Sequence, residues 1–511
     1  MSKIGKLLFH RLGIIAVFLI LQIGIYISTI VWFSDYARAI EVVFRIISGV
    51  MLLVVINGRN DPGYKLGWVI IVLLMPVSGG LLYLLLGGNR LSLRSQRKLR
   101  VMESKMRRFL GKDCCRSKIL SETTNLDAGH MAYYLEETVG CPVYGNTATK
   151  YYSLGDHCFP DMIEALESAQ KYIFLEYFII QEGELWDAVF DILRRKAAEG
   201  LDVRVIYDDV GSIMTLPSTF TARLEAAGIA CRAFNRLMPV LNMRQNNRDH
   251  RKYMVVDGKV AFTGGMNLAD EYINRAERFG HWKDSAIRLE GDAVWSIVVS
   301  FLAMWGFAVE KTEDYSAFRA QPAAMTGETV GYVQPYWDSP WDEEPVGQTV
   351  YLNLIDRAKK YIYISTPYVV LDYATLIALK KAAKSGVDVR LFTPHIPDKK
   401  AVFELTRAHY EELLDSGVRI FEYTPGFLHA KNFVVDDLYA TVGTINLDYR
   451  SMFLHFENGV LLYETETVGQ IRDDFLEMQK ISFEVTKAWC KEASVGKRFF
   501  RGILKVFAPL L

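Results

Sequence analysis

Cysteine is scarce. The chain has six in 511 residues: Cys114, Cys115, Cys141, Cys158, Cys231 and Cys490. No C-x-x-C pair occurs and no cysteine stands near a histidine at zinc-ligand spacing, so neither a disulfide framework nor a structural zinc site is expected. Net charge is also absent. Lys and Arg total 59 and so do Asp and Glu, which excludes the bulk electrostatic footprint of a nucleic-acid partner. What the chain does have is asymmetry. Half of its residues are hydrophobic, with the excess in the first ninety positions. At roughly 100–200 residues per domain, its length suits two large lobes and an added segment.

Three apolar runs open the chain. Residues 12–33 carry no charge over 22 positions, which as a helix would reach about 33 Å, enough to cross a bilayer core. Lys3, Lys6 and Arg11 precede this run as they would in a signal peptide, but no small-x-small cleavage site follows, so a retained anchor is expected. Residues 39–56 carry Glu41 and Arg45, and residues 66–86 contain Pro76 and the Gly79-Gly80 pair. Two or three membrane segments are therefore expected within residues 1–88. A basic juxtamembrane linker follows over 89–129. Eight Lys and Arg crowd its residues 90–108 against Glu103, and place the catalytic part on the cytoplasmic side, facing anionic headgroups. The basic N-terminal tail asks for the same side, which three crossings would not allow.

From about residue 130 the pattern becomes an α/β rhythm, and it occurs twice. "KYIFLEYFII" at 171–180 is echoed by "KYIYISTPYVV" at 360–370, and "LEAAGIACRAF" at 224–234 by "LLDSGVRIFEY" at 413–423. A period this long implies two homologous lobes packed face to face, over 130–320 and 347–495. A proline-bearing connector is expected over 321–346, and an amphipathic helix over 496–511. In that helix Phe500, Ile503, Leu504, Phe507 and Leu511 share one side, while Lys497, Arg498, Arg501 and Lys505 fall largely opposite and are expected to meet anionic lipid.

The strictest repetition lies in "HRKYMVVDGKVAFTGGMN", residues 250–267, and "HAKNFVVDDLYATVGTIN", residues 429–446. His250, Lys252, Asp257, Gly264 and Asn267 match His429, Lys431, Asp436, Gly443 and Asn446 in one register. Strand alternation turns each histidine and its lysine to one face. Two lobes together would thus gather two imidazoles, two ammonium groups and two carboxamides. That set suits a phosphodiester. One imidazole can attack phosphorus and the other can protonate the leaving oxygen, while Lys and Asn hold the equatorial oxygens.

The spacing His-x-Lys-x4-Asp-x6-Gly resembles the HKD motif of the phospholipase D superfamily. "GHWKDSAIRLEGDAV", "STPYVV" and "NLDYRSMFLHFENGVL", with the N-terminal apolar pair, resemble the bacterial cardiolipin synthases within it. The position after each motif glycine, usually Ser in that family, is Gly265 in one repeat and Thr444 in the other. The resemblance implies transfer of a phosphatidyl group from one phosphatidylglycerol to another through a phosphohistidine, on a multi-pass membrane protein, with no metal or other cofactor. It implies catalytic roles for His250, Lys252, Asp257, His429, Lys431 and Asp436, with the two aspartates serving chiefly to support the motif. It assigns phosphate binding to Lys252, Asn267, Lys431 and Asn446. It also implies an acid beyond each motif that orients that motif's histidine, with Asp284 and Glu457 at the matching places. His250 is assigned the attack, although the symmetry leaves this open. Hydrolytic phospholipase D or phosphatidylserine synthase action would use the same intermediate. A nuclease fits poorly with a neutral chain bearing apolar segments, and an inactive scaffold fits poorly with intact motifs.

Overall fold

The structure is a computed structural model describing residues 37–58, 61–75, 79–87, 93–111, 116–238, 243–310, 313–321 and 330–510, with four isolated positions before residue 37. The anchor expected over 12–33 lies outside the described residues, as do Pro76 and Cys114-Cys115. The chain divides into two compact units. One comprises residues 1–91, 235–247 and 506–511, and the other residues 92–234 and 248–505.

In the smaller unit, helix Ala37–Asn57 packs against helices Pro62–Leu74 and Gly79–Leu86. Asp61 caps the second helix by accepting from the amides of Gly63 and Tyr64, with Pro62 at the first position, where its missing N–H costs nothing. A Cβ on Gly80 would come within 2.7 Å of the Ser48 backbone, so glycine permits this helix contact. The run expected as one span over 66–86 is therefore two helices. Among the described residues no helix is long and apolar enough to cross a membrane. The helices nonetheless present an apolar exterior: Val42, Val43, Ile46, Val50, Leu53, Leu66, Leu73 and Leu84 are all exposed.

The larger unit holds the repeat. The first sheet draws on β1 (Thr147–Tyr152), β2 (Tyr172–Tyr177), β3 (Asp202–Asp208), β4 (Ala230–Phe234), β6 (Tyr253–Val256), β7 (Val260–Gly264) and β9 (Ala286–Gly291), in the order β1-β9-β7-β6-β2-β3-β4. The second draws on β10 (Tyr332–Asp338), β11 (Tyr361–Ser365), β12 (Asp388–Pro394), β13 (Arg419–Tyr423), β15 (Asn432–Val435), β16 (Tyr439–Gly443) and β17 (His455–Tyr463). Its order is β10-β17-β16-β15-β11-β12-β13, with β18 (Ser482–Val485) added at the edge. The two orders superpose strand for strand. Strand β2 is buried along its whole length because parallel β3 and antiparallel β6 flank it, which is why it reads as an unbroken apolar run.

Three short strands stand outside these paths: β5 (Arg248–Asp249), β8 (His281–Lys283) and β14 (Gly426–Leu428). They join the lobes. Between the sheets lies a shared core that includes helix Val294–Val309, whose residues 294–305 are buried on every side. An all-round apolar helix has no solvent face, and here both lobes cover it.

Two expected boundaries are corrected. Part of the connector, Tyr332–Asp338, is the edge strand paired with β17 and belongs to the second sheet; residues 322–329 lie outside the described residues. The basic linker contains helix Leu93–Leu110, which packs on helix Val294–Val309, with Leu99 and Met106 buried. Its apolar stripe, interleaved with the basic residues, supplies that contact. The C-terminal helix forms over Val495–Phe507, but three of its basic residues face the second lobe. Arg501 meets Glu404 at 2.8 Å, Arg498 meets Glu411 at 3.6 Å and Lys505 meets Glu412 at 3.6 Å. Val495, Phe499, Phe500 and Ile503 are left exposed.

Candidate active site

Each motif histidine follows a short strand that pairs in parallel with the other lobe. Arg248 and Asp249 of β5 lie opposite His455 and Phe456 of β17, so the next residues, His250 and Glu457, come together. Phe427 and Leu428 of β14 lie opposite Trp282 and Lys283 of β8, and bring His429 to Asp284. The amides continue the ladder: His250 N–H donates to the Phe456 carbonyl at 2.9 Å and His429 N–H to the Lys283 carbonyl at 2.7 Å. Backbone register across the lobe boundary thus builds both histidine–acid pairs.

His250 Nδ1 lies 3.0 Å from both Glu457 oxygens, and His429 Nδ1 lies 2.6 Å from Asp284 Oδ2. Each acid therefore serves the histidine of the opposite lobe, which corrects the expectation that it serves its own motif. The two-fold relation between the lobes is the reason: the strand carrying an acid borders the partner's motif. An ionised carboxylate only accepts, so Nδ1 carries the proton and Nε2 presents its lone pair for chemistry.

Lys252 and Lys431 turn inward, and each donates to the carbonyl of its own motif histidine, Lys252 at 2.5 Å and Lys431 more closely. Burial lowers the Lys252 ammonium to about 7 and the Lys431 ammonium to about 8. Burial also drives His250 well below its ordinary value, with the charges of Lys252, Lys431 and His429 adding to the effect. His429 falls to about 4 by burial and the Lys431 charge, against the pull of Asp284. The Asp284 carboxyl is held low by His429 and Lys431 in spite of its burial. The groups of both motifs therefore act on one another in a single electrostatic site, and both imidazoles rest neutral.

The motif aspartates lie elsewhere. Asp257 accepts from the amides of Gln170, Lys171 and Tyr172 at 2.7–2.9 Å, and Asp436 from those of Lys359, Lys360 and Tyr361 at 2.7–2.8 Å. They cap the starts of β2 and β11, and these bonds run to backbone amides rather than to a histidine, which is a supporting position at the central strands. The motif glycines are explained by closeness: a Cβ on Gly264 or Gly443 would sit 2.4 Å from the carbonyl of Ser285 or Asn458. Asn267 accepts from Ile179 N–H at 3.0 Å and donates to Tyr272 at 2.6 Å, whereas buried Asn446 Oδ1 has no partner among the described residues. Of the two motif asparagines, Asn446 is the one with an amide oxygen left over among the described residues.

The positions after the motif glycines acquire partners here, and two further neighbours, His455 and Trp282, were not singled out in the sequence. Thr444 donates to Glu457, and its counterpart Gly265 leaves room for Asp284, whose Oδ1 would lie 2.0 Å from a Cβ there. His455 stands 5.5 Å from His250 between ring centres, in the place that Trp282 occupies beside His429, also at 5.5 Å. Both lie two residues before the acid on the same strand face, so strand alternation was the available signal. His250, His455 and Glu457 place potential ligand atoms within 4.8 Å of one another, the one such group among the described residues.

Known proteins resemble this chain over most of its length. The family described as "Cardiolipin synthase, PLD-like domain" matches residues 162–281 and 351–479, and "Phospholipase_D-nuclease N-terminal" matches 46–88. The chain is 33% identical over 458 residues to a cardiolipin synthase of Staphylococcus aureus, covering 87% of this chain and 90% of that one. It is 32% identical over 507 residues to a cardiolipin synthase of Alkalihalophilus pseudofirmus, covering 98% of this chain and 100% of that one. Among solved structures, phosphatidylserine synthase of Haemophilus influenzae aligns with a TM-score of 0.53 at 16% identity, covering 71% of this chain and 93% of that one, a likeness of fold.

Proposed function

The chain belongs to the bacterial cardiolipin synthases of the phospholipase D superfamily, and we propose that it joins two phosphatidylglycerols with His250 as nucleophile and His429 as proton carrier. His250 Nε2 attacks the phosphorus of the first lipid. His429, which takes up a proton from solvent at Nε2 when the anionic phosphodiester binds, gives that proton to the leaving oxygen as the bond from phosphorus to the glycerol headgroup breaks. The phosphatidyl group is then held on His250. His429, now neutral, accepts a proton from a hydroxyl of the second phosphatidylglycerol, whose oxygen attacks phosphorus and breaks the N–P bond. Cardiolipin and glycerol leave with both histidines restored.

The observation that carries this reading is the crossed pairing of the histidines with Glu457 and Asp284. It frees both Nε2 atoms at once. The 2.6 Å bond to a carboxylate held in its ionised form favours a transient imidazolium on His429, the role of a proton carrier. The arriving phosphodiester anion restores full charge to Lys252 and Lys431, which then stabilise the pentacoordinate transition state. Asn446 supplies further contacts to the phosphate.

Both substrates are membrane lipids. The apolar segments within residues 1–88 hold the chain in the bilayer, the charge of residues 90–108 keeps the lobes on the cytoplasmic side, and the exposed Val495, Phe499, Phe500 and Ile503 contact the interfacial region. The test is lipid mass spectrometry after expression in a bacterial host lacking cardiolipin. Cardiolipin should appear with the wild-type chain and not with His250→Ala. Accumulation of phosphatidic acid or phosphatidylserine without cardiolipin would overturn the choice of acceptor.

A further inference from the structure

His455 is an anomaly of the site. Its side chain is nine-tenths buried, yet neither ring nitrogen has a hydrogen-bond partner among the described residues. An imidazole withdrawn from water with both nitrogens idle has lost hydration and gained no bond in return. Glu457 Oε1 lies 3.6 Å from His455 Nδ1, an ion-pair separation too long for a hydrogen bond. The same carboxylate lies 3.0 Å from His250 Nδ1. Glu457 therefore stands between two imidazoles, and the three ligand atoms lie within 4.8 Å of one another.

These separations have a chemical meaning. Zinc bonds to imidazole nitrogen and carboxylate oxygen at about 2.0–2.2 Å, so ligand atoms at adjacent corners of a tetrahedron stand about 3.3–3.5 Å apart. The observed 3.0 Å and 3.6 Å bracket that edge. Two histidines and one glutamate form a ligand set suited to a borderline divalent ion, with a fourth position left for solvent or a phosphate oxygen. The opposite half of the site cannot match it, because Trp282 occupies the place of His455 and an indole N–H is no metal ligand.

We propose that His250, Glu457 and His455 form an inhibitory site for Zn²⁺ or a similar transition-metal ion. Three coordinate bonds form, to His250 Nδ1, one Glu457 oxygen and His455 Nδ1, and the His250 proton moves by way of solvent from Nδ1 to Nε2, which occupies the nucleophilic lone pair. The ion takes the carboxylate that orients His250 and fixes the ring through the wrong nitrogen, so the nucleophile is held out of use. Lys252 and Lys431 oppose the incoming charge, which keeps the binding reversible by a chelator. The inhibitory consequence rests on the proposed role of His250, whereas metal binding itself does not.

The test uses the full chain in detergent micelles with Co²⁺ and Zn²⁺ alone as probes. Wild-type protein should bind one Co²⁺ with the visible absorption of a four-coordinate nitrogen and oxygen site, and Zn²⁺ should displace it. Zn²⁺ should also inhibit lipid transfer, with activity restored by chelation. In His455→Gln the Co²⁺ bands should vanish, transfer should persist, and the inhibitory Zn²⁺ concentration should rise about tenfold or more. Absence of the Co²⁺ bands in wild type overturns the site, a reading that needs no variant and no activity. Equal Zn²⁺ inhibition of wild type and His455→Gln overturns it as well. Co²⁺ bands that depend on His455 without inhibition would uphold the metal site and reject His250 as nucleophile.

Discussion

The two halves of the active site share a backbone plan and differ in every side chain that supports the histidine. His250 leans on a glutamate, which is itself held by Thr444 and flanked by a second imidazole. His429 leans on a shorter aspartate, which has a glycine beside it and a tryptophan in place of that imidazole. On the proposed reaction the motif residues are duplicated because both halves grip one phosphate. The supporting residues are not, because the two imidazoles have different work. In the reaction we propose, one forms a bond to phosphorus, and the other carries a proton between leaving and arriving oxygens.

The largest effects should come from the histidines themselves. His250→Ala and His429→Ala should each lower turnover by on the order of 10⁴-fold or more. Protein denatured in detergent at neutral pH should carry the acid-labile phosphatidyl adduct in the His429 variant and lack it in the His250 variant. The reverse pattern would exchange the two roles, and full activity in either variant would reject the two-histidine mechanism.

Next come the acids, and here the crossing between lobes is exposed to test. Asp284→Asn and Glu457→Gln should each cost about 10²–10⁴-fold in kcat, because the imidazole loses its preferred tautomer and its counter-charge. Asp284→Asn should resemble a weakened His429 variant and still form the adduct, while Glu457→Gln should slow adduct formation itself. If each variant instead resembled loss of the histidine in its own lobe, the register of β5 with β17 and of β14 with β8 would be wrong.

Much of this plan was legible in the sequence. Duplicated spacing identified His250, Lys252, His429 and Lys431, and period-two alternation set their common face. The partner of each acid was not legible, because it depends on which strands meet across the lobe boundary, and strands as short as β5 and β14 carry no periodic signal. The edge strand Tyr332–Asp338 was hidden for a related reason: Pro335 argues against a strand except at an edge, and an edge is where it lies. Helix Leu93–Leu110 looked like a linker because its charge outweighs a narrow apolar stripe.

A smaller effect should separate Gly265 from Thr444. Gly265→Ser puts a Cβ where Asp284 Oδ1 stands, so the acid must leave His429, and kcat should fall by about 10²-fold. Thr444→Gly removes a donor to Glu457 and the acceptor of the Asn458 amide at 3.0 Å, a loss of about 1–3 kcal/mol. Its kcat should fall only about tenfold. Equal losses in the two variants would mean that the halves tolerate each other's support. Asp257→Gly and Asp436→Gly give the symmetric control. Glycine accepts the positive φ of 54° found at both positions, so each variant removes the carboxylate that accepts from three backbone amides without straining the turn. The unfolding temperature should drop similarly in both, with kcat per folded molecule retained; a loss of kcat at unchanged stability would return the aspartates to the chemistry.

The smallest effect concerns acid. His429 titrates at about 4 in the fold and His455 at about 3, against about 6.5 in an open chain, and His250 is displaced in the same direction. Between pH 6.5 and 4 the unfolded chain binds protons that the fold refuses. Stability therefore rises with pH in this window: it is fully present above about 6.5 and lost as pH falls toward 4. Lys431 leaves this window nearly flat, and Lys252, lowered to about 7, adds only a small slope of the same sign at its upper end, common to all the variants compared. One such histidine should cost on the order of 2 kcal/mol at pH 5 relative to pH 7. The His250 half holds two buried imidazoles and the His429 half holds one. The double variant His250→Gln/His455→Gln should consequently flatten the decline of the urea midpoint between pH 7 and pH 5 more than His429→Gln does. If His429→Gln flattened it as much or more, the greater burden of buried neutral histidine would not lie on the His250 side.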